Sequence, residues 1–336
     1  MRRTPPAISI GHYPSSRVEE TLAIARELDG GIVDSLWIGD SPLIWRECWT
    51  TIALCLAHTE TLRLGTAVTN PMSRDWTVTA SAVQTLSEYS PGRIRLGIGL
   101  GDSALRRQGG RIARLSELRE AVQAIRSLLT RAALDDRPSL YWDRPGQHIE
   151  ILLSGSGPKT LALAGELGDG AIIVPGVEEA AVRQVVDRVA SGSRDAGREP
   201  AEVRIVLWVG CAIGPEDQAW REVAPWVRSV LRHPLAFEVS AEVQSARERI
   251  RSSYDFALHM LHDSDTSDSL PVNLLRLFAL AGTESRLAED LHKLTELPVD
   301  EIVLVIMGRD PVAQATYLNR LAGDIVGRWA SPERLA

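Results

Sequence analysis

The sequence predicts a closed (β/α)8 TIM barrel, and three observations support this fold class. Short apolar or β-branched runs alternate with longer segments of helical period, which is typical of a parallel sheet covered by helices. Eight strand-like runs occur, and eight strands close such a barrel. The first four start at residues 7, 35, 63 and 93, a spacing close to the length of one strand and helix unit.

Each element is predicted from its own local pattern. The strands are predicted at residues 7–11, 35–39, 63–69, 93–98, 149–154, 171–174, 204–213 and 301–307. The helices are predicted at residues 17–28, 45–58, 77–89, 116–131, 159–167, 180–191, 217–231, 241–262, 271–281, 284–294 and 311–326. Ser15 and Ser16 precede the first helix as capping residues, and Gly30 and Gly170 follow helix ends, where glycine is favoured.

Two insertions explain why the chain exceeds the roughly 250 residues of a minimal barrel. Residues 132–148 carry Asp, Pro and Gly, which predicts an excursion after the fourth strand. Residues 215–300 place helical segments between the last two predicted strands. No linker rich in Pro, Gly or Ser separates two halves, so a single domain over residues 1–336 is predicted.

The composition excludes several classes of protein. The 336 residues include 37 basic and 44 acidic side chains, and the net charge of −7 argues against a general nucleic-acid binder. The 44% apolar content argues against disorder. The sequence has no run of about 18 apolar residues, so no membrane helix is predicted. The first residues do not resemble a signal peptide, and a cytoplasmic location is therefore expected. The cysteines lack metal-ligand spacing, so no metal site is predicted.

Functional residues are expected at the carboxyl ends of the strands, because those ends open onto the loops that form the active site of a barrel. Residues 154–160 read SGSGPKT and start a helix, so their N–H groups can face an anion such as phosphate. A tight strand-to-helix turn that only needs small residues explains this segment equally well. The glycines at 97, 99 and 101 do not form a dinucleotide-binding fingerprint, because no ribose-binding acidic residue follows.

Four segments carry a resemblance to a known family. They read SLWIGDSPLIWR at 35–46, LGTAVTNP at 64–71, LGIGLGDS at 96–103 and SGPKTLALAG at 156–165. In this order they resemble the bacterial-luciferase-like superfamily, in the branch of methylenetetrahydromethanopterin reductase and related F420-dependent or flavin-dependent oxidoreductases. The resemblance implies a barrel that holds a deazaflavin or flavin against the third strand, with a cis peptide bond at Ala67–Val68.

The resemblance also implies the binding site. It places Asp40 and Trp45 near the ring of the cofactor, an acidic residue at Asp102 near the reacting face, and the phosphate at the turn of Ser156 and Gly157. The cofactor-binding residues expected on this basis are Asp40, Trp45, Ala67, Val68, Thr69, Gly99, Gly101, Ser154, Ser156, Gly157, Pro158, Lys159, Gly176 and Val177.

The candidates for catalysis are Asp102, His12 and Asp40, because hydride transfer needs a proton donor within reach of the substrate. Two of these have a simpler explanation, His12 as a surface histidine and Asp40 as a cap of the following turn. Trp45 is explained equally well as a core residue. The chain departs from many relatives at Ser41, where they carry histidine, and at residues 74–76, which read RDW in place of a pattern containing His-Pro. The first departure removes any proton relay through that histidine, and the second puts the methanopterin substrate in doubt.

Three functions remain open. The first is a coenzyme F420-dependent oxidoreductase that moves a hydride between the deazaflavin C5 and a C=C, C=N or alcohol carbon of a small metabolite. The alternatives are a two-component monooxygenase that uses reduced FMN, and a barrel that binds flavin without turnover. A homodimer is expected through apolar faces of the helices at 45–58 and 77–89, although core packing explains those faces as well.

Overall fold

A computed structural model of the chain describes residues 5–130, 140, 148–256, 259–260 and 270–330. Residues 328–330 are described by their backbone alone. Eight parallel strands form a closed ring in the order β1-β2-β3-β4-β5-β6-β7-β9, with β9 paired to β1. The nine strands are β1 Ala7–His12, β2 Ser35–Ile38, β3 Arg63–Thr66, β4 Ile94–Ile98, β5 Ile151–Ser154, β6 Gly170–Ile173, β7 Arg204–Ile213, β8 Ala279–Gly282 and β9 Glu301–Ile306. The predicted (β/α)8 barrel is therefore confirmed.

Helices cover the outside of the ring. They are α1 Val18–Leu28, α2 Cys48–Ala57, α3 Trp76–Tyr89, α4 Ser103–Arg107, α5 Leu115–Thr130, α6 Pro158–Leu167, α7 Glu179–Asp195, α8 Glu216–Leu231, α9 Ala241–Ser253, α10 Val272–Leu275, α11 Glu284–Leu294 and α12 Pro311–Ala330. A short 3-10 turn at Pro200–Glu202 precedes β7. Of the part of the chain that the structure describes, no helix is long and apolar enough to cross a membrane.

The predicted helix at residues 271–281 is wrong. Helix α10 ends at Leu275. Strand β8 follows as an additional strand outside the ring of eight, and it pairs with the second half of β7. Strand β7 is ten residues long, and its partner β6 reaches only as far as Leu207. The remaining edge of β7, at residues 210–213, is therefore free to pair with an apolar segment, and the short run of β8 satisfies it.

One helix boundary and one further helix differ from the prediction. Helix α9 ends at Ser253, so the predicted helix at 241–262 is too long within the described residues. Helix α4 after β4 was not predicted. Most of the predicted excursion at 132–148 lies outside the described residues.

Two apolar layers hold the barrel together. One layer lies between the strands and the outer helices, and the other fills the inside of the barrel and continues under α8 and α9. Trp37 fills the barrel interior opposite Gly65, where a Cβ atom would come within 2.4 Å of the indole. At the amino end of the strands, Arg95 and Glu301 form a buried ion pair at 2.7 Å, and Trp37 donates to the same carboxylate.

The side chains expected at a dimer interface are mostly core residues. Trp49, Ile52, Val83 and Leu86 are buried in the layer between helices and barrel. Val78 is exposed on α3. Core packing therefore accounts for most of the apolar pattern on these two helices, and the homodimer stays a prediction.

Candidate active site

A cavity of about 500 Å³ opens at the carboxyl ends of the strands. Its volume lies within the roughly 300–1,000 Å³ range of sites that bind small molecules. The loops after β2, β3, β4 and β5 form one side of the wall, and residues 226–234 at the end of α8 form the other. This is the end of the barrel at which the sequence predicted the site.

The end of β3 forms one wall of the cavity. The Ala67–Val68 peptide bond is cis, as the resemblance implied, and both residues line the cavity. Thr69 returns to the sheet beside Ile98 and is buried. Gly99 lies against this wall, where an added Cβ atom would come within 3.2 Å of the Val68 side chain. The wall therefore leaves room for a flat group to contact the backbone closely.

The start of α6 forms the opposite end of the cavity. Ser154, Ser156 and Gly157 line it, Gly157 caps the helix, and Pro158 occupies its first turn. The N–H groups of Lys159 and Thr160 belong to this first turn, where an α-helix provides no carbonyl partner. An anion at this end would meet these N–H groups and the positive end of the helix dipole.

Asp40 is buried beside an arginine in the loop after β3. Nη1 of Arg74 donates to Oδ2 of Asp40 at 2.5 Å, and the second Arg74 nitrogen donates to Glu47. Burial raises the pKa of Asp40, while Arg74 acts in the opposite direction. The carboxylate lines the cavity next to Ser41, whose hydroxyl lies 2.8 Å from that of Ser103.

Asp102 lies within a cluster of basic side chains. Its carboxylate pairs with Arg232, accepts from Nε of Arg106 at 2.8 Å and lies 3.6 Å from Nε2 of His233. Burial acts to raise the pKa of Asp102, but the arginines and His233 outweigh it and lower that pKa. The carboxylate is therefore ionised near neutral pH.

Some predicted site residues do not line the cavity. His12 is buried, with Nε2 3.1 Å from Oγ1 of Thr21, and it faces a separate chamber of about 120 Å³. Its interpretation as a surface histidine is wrong, because its side chain is 3% exposed. Thr69, Pro158, Lys159, Gly176 and Val177 also lie outside the lining. Gly176 adopts a φ of 94° and packs against the backbone of Leu277.

Several residues of the cavity were not predicted. Tyr13 stacks on Trp45 with ring centres 4.3 Å apart. The cavity is also lined by Trp208 of β7 and by residues of the insertion that follows it, including Trp226, Arg232, His233, Arg251 and His259. The neighbours of these residues in the sequence form no motif of their own. Only the presence of an insertion at the mouth of the barrel indicated that this segment would reach the site.

A family described as luciferase-like monooxygenase matches residues 4–301. The chain belongs to this family. Among its relatives, the 5,10-methylenetetrahydromethanopterin reductase of Methanolobus tindarius is 29% identical over 319 residues, which cover 89% of this chain and 90% of the relative. An F420-dependent glucose-6-phosphate dehydrogenase of Beutenbergia cavernae is 28% identical and covers 90% of each chain.

Several solved structures share the fold of this chain. The F420-dependent tetrahydromethanopterin reductase of Methanopyrus kandleri superposes with a TM-score of 0.74 at 17% identity, covering 94% of this chain and 98% of that one. An F420-dependent secondary alcohol dehydrogenase gives a TM-score of 0.74 at 16% identity, covering 96% and 99%. The monooxygenase RslO1 of Streptomyces bottropensis gives 0.68 at 19% identity, covering 96% and 100%.

Proposed function

We propose that this chain is a coenzyme F420-dependent oxidoreductase that moves a hydride between the cofactor and a C=C, C=N or alcohol carbon of a small metabolite. The names of relatives that match over most of their length support the cofactor. Their printed activities differ, so they support the cofactor more strongly than any one substrate.

The observation that carries this proposal is the layout of the cavity. The wall at Ala67 and Val68 is smooth and apolar, while the far end consists of Ser156, Gly157 and the start of a helix. A cofactor with a flat ring and an anionic tail fits these two ends in one orientation. The ring would pack on the end of β3, and the phosphate would accept from the first-turn N–H groups of α6.

When bound, the deazaflavin supplies or accepts the hydride, and the protein supplies position, a dry site and a path for the proton. Trp45, Trp208 and Trp226 line the cavity and reduce the access of water to the ring. Thr69, Pro158, Lys159, Gly176 and Val177 would then support the cofactor from behind the lining residues.

The three acidic or basic candidates differ in what they can do. Burial raises the pKa of Asp40 against the opposing effect of Arg74, and we propose Asp40 as a hydrogen-bonding residue at the ring. Asp102 is a poor proton donor because its ion pairs keep it ionised, and we propose that it fixes Arg232 and Arg106 at the mouth of the cavity. His12 would act only through residues that separate its chamber from the cavity.

A two-component monooxygenase that uses reduced FMN is the second candidate, and the description of the matched family favours it. Titration of the purified protein with F420 and, separately, with FMN distinguishes the two. We expect F420 to bind with the lower Kd, and binding of FMN alone would overturn the proposal. A barrel that binds flavin without turnover is tested by an assay in the absence of oxygen. Steady oxidation of the reduced cofactor by an organic acceptor would show an enzyme and not a flavin-binding protein.

A further inference from the structure

Tyr254 and His259 form a hydrogen-bonded pair at the wall of the cavity. Oη of Tyr254 lies 2.5 Å from Nδ1 of His259. His259 lines both the large cavity and the smaller chamber behind it, and it is 5% exposed. Both residues belong to the segment that follows α9, and the cofactor-binding roles described above do not use them.

The chemistry of the neighbours favours Tyr254 as the donor in this hydrogen bond. The guanidinium of Arg232 lies over the Tyr254 ring, and arginine has no acceptor atom, so it cannot take the tyrosine proton. Nδ1 of His259 lies 2.5 Å from the tyrosine oxygen and accepts that proton when the imidazole proton is on Nε2. With the tyrosine as donor, Nε2 carries the imidazole proton.

The charge around His259 keeps its imidazole neutral. Burial lowers the pKa of His259 to about 3, Arg232 and His233 act in the same direction, and Asp102 opposes them. A neutral imidazole is a weak acid by itself, but it can release a proton from Nε2 while it accepts one at Nδ1. Burial and the charge of Asp102 raise the pKa of Tyr254. Arg232, whose guanidinium carbon lies 4.9 Å from the centre of the Tyr254 ring, opposes this shift and would stabilise the phenolate that the transfer leaves.

We propose that Tyr254 and His259 form a proton relay for the oxygen of an alcohol or carbonyl substrate. The relay rests on the proposed function, and among the substrates named there it favours those with a heteroatom at the reacting carbon over those with a C=C bond. An oxygen atom at the reacting carbon would accept a hydrogen bond from Nε2 of His259. Reduction of a C=C bond needs its proton at carbon and would not use this arrangement.

The transfer balances in both directions. In reduction, the π bond of the carbonyl breaks and the carbon gains a hydride from the reduced deazaflavin. The carbonyl oxygen takes the Nε2 proton, the Tyr254 proton passes to Nδ1, and solvent later protonates the phenolate. In oxidation of the alcohol the same bonds would form and break in reverse, and the carbon would give its hydride to the bound cofactor.

The proton positions can be measured without any cofactor. Nitrogen-15 NMR of the histidine side chains, with His259→Gln to assign the resonance, reports the protonated nitrogen directly. We expect His259 to be neutral with its proton on Nε2 from about pH 5 to about pH 8. A proton on Nδ1, or an imidazolium at pH 7, would overturn the relay. The exposed His58 provides a matched His58→Gln control, which should leave the His259 signal unchanged.

The chemistry is tested with cyclohexanone and reduced F420, and with cyclohexanol and F420. Tyr254→Phe keeps the ring beside Arg232 but removes the proton, so kcat should fall by about 100-fold or more while KM changes by less than about threefold. The variant should also change the solvent isotope effect on kcat, which a purely structural role would not. The exposed Tyr89 gives the matched control Tyr89→Phe, which should behave as the original protein.

The outcomes separate the relay from the proposed function. If F420 binds but Tyr254→Phe keeps the original kcat, the relay is wrong and the proposed function stands. The same conclusion follows if F420 binds and the loaded protein reduces the C=C bond of 2-cyclohexenone but no ketone. If F420 does not bind, both proposals fail.

Discussion

Replacement of Gly157 by aspartate tests whether the start of α6 binds an anion. Gly157 has φ −89° and ψ 155°, which suit any residue at a helix cap, and a Cβ atom would lie 3.5 Å from Pro234 in ordinary contact. Aspartate is at least as good a helix cap as glycine. The variant should therefore fold with an unchanged or slightly higher Tm, while its carboxylate occupies the place of the anion.

The expected loss of affinity follows from the charges. An aspartate and a cofactor phosphate that compete for the same first-turn N–H groups would lie about 5 Å apart. Two unit charges at that distance repel by about 0.8 kcal/mol in water and about 3 kcal/mol at an effective dielectric constant of 20. The Kd for F420 should therefore rise by between about 4-fold and about 200-fold, and added salt should reduce the effect.

The assay is an equilibrium titration followed by the fluorescence of F420, with Tm measured on the same samples. The matched control is Gly323→Asp, because Gly323 lies on the exposed side of α12 with no heavy atom near its Cβ position. The control should bind F420 as the original protein does. An unchanged Kd in Gly157→Asp, with the control also unchanged, would refute the assignment of the anion to this turn.

Three further predictions concern stability. Arg95→Met should lower the free energy of unfolding, measured by urea denaturation, by about 3–5 kcal/mol, because it removes the buried partner of the Glu301 carboxylate and leaves the more distant Arg204 at 3.3 Å. Gly192→Ala should also destabilise the protein in urea, by about 1–3 kcal/mol, because its methyl group would come within 2.0 Å of the carbonyl oxygen of Ala162. Asp102→Asn should weaken the dependence of stability on acid pH. The folded-state pKa of Asp102 is lowered, so its ionised form stabilises the protein above about pH 4, and this contribution is lost as the pH falls through the folded pKa.

Each of these predictions has a control or a contradicting result. Arg320→Met removes an exposed partner of Glu284 and should lower the free energy of unfolding by less than about 1 kcal/mol. An equally small loss for Arg95→Met would contradict the stabilising role assigned to the buried ion pair. Gly323→Ala should stabilise α12 slightly, which separates helix propensity from the clash at Gly192. Parallel stability curves for Asp102→Asn and the original protein between about pH 6 and about pH 3 would contradict the account of Asp102.

The barrel could be predicted because its strands are locally recognisable. Buried parallel strands form short continuous apolar runs, and the regular spacing of the first four identified the repeating unit. The position of the cavity then followed from the geometry of the fold. Strand β8 could not be predicted in this way, because a short apolar run suits a helix or a strand. The free edge of β7 decides between them, and that edge exists only in the folded protein.

The chemistry of the site depended on contacts that are distant in the sequence. Asp102 was predicted as a proton donor, but its partner Arg232 lies 130 residues away and comes from the end of α8. His259 and Tyr254 follow a helix that was predicted to be longer, and neither has a neighbouring motif. The resemblance located residues in the loops after β2 to β5. None of the four segments that carried it lies in the insertion that holds Arg232, Tyr254 and His259.

Crystals soaked separately with F420 and with FMN test the position of the cofactor in the cavity most directly. We expect the deazaflavin ring to lie against Ala67 and Val68 and its phosphate to accept hydrogen bonds at the turn of Gly157. Electron density for the ring at another place, or for FMN alone, would contradict this expectation.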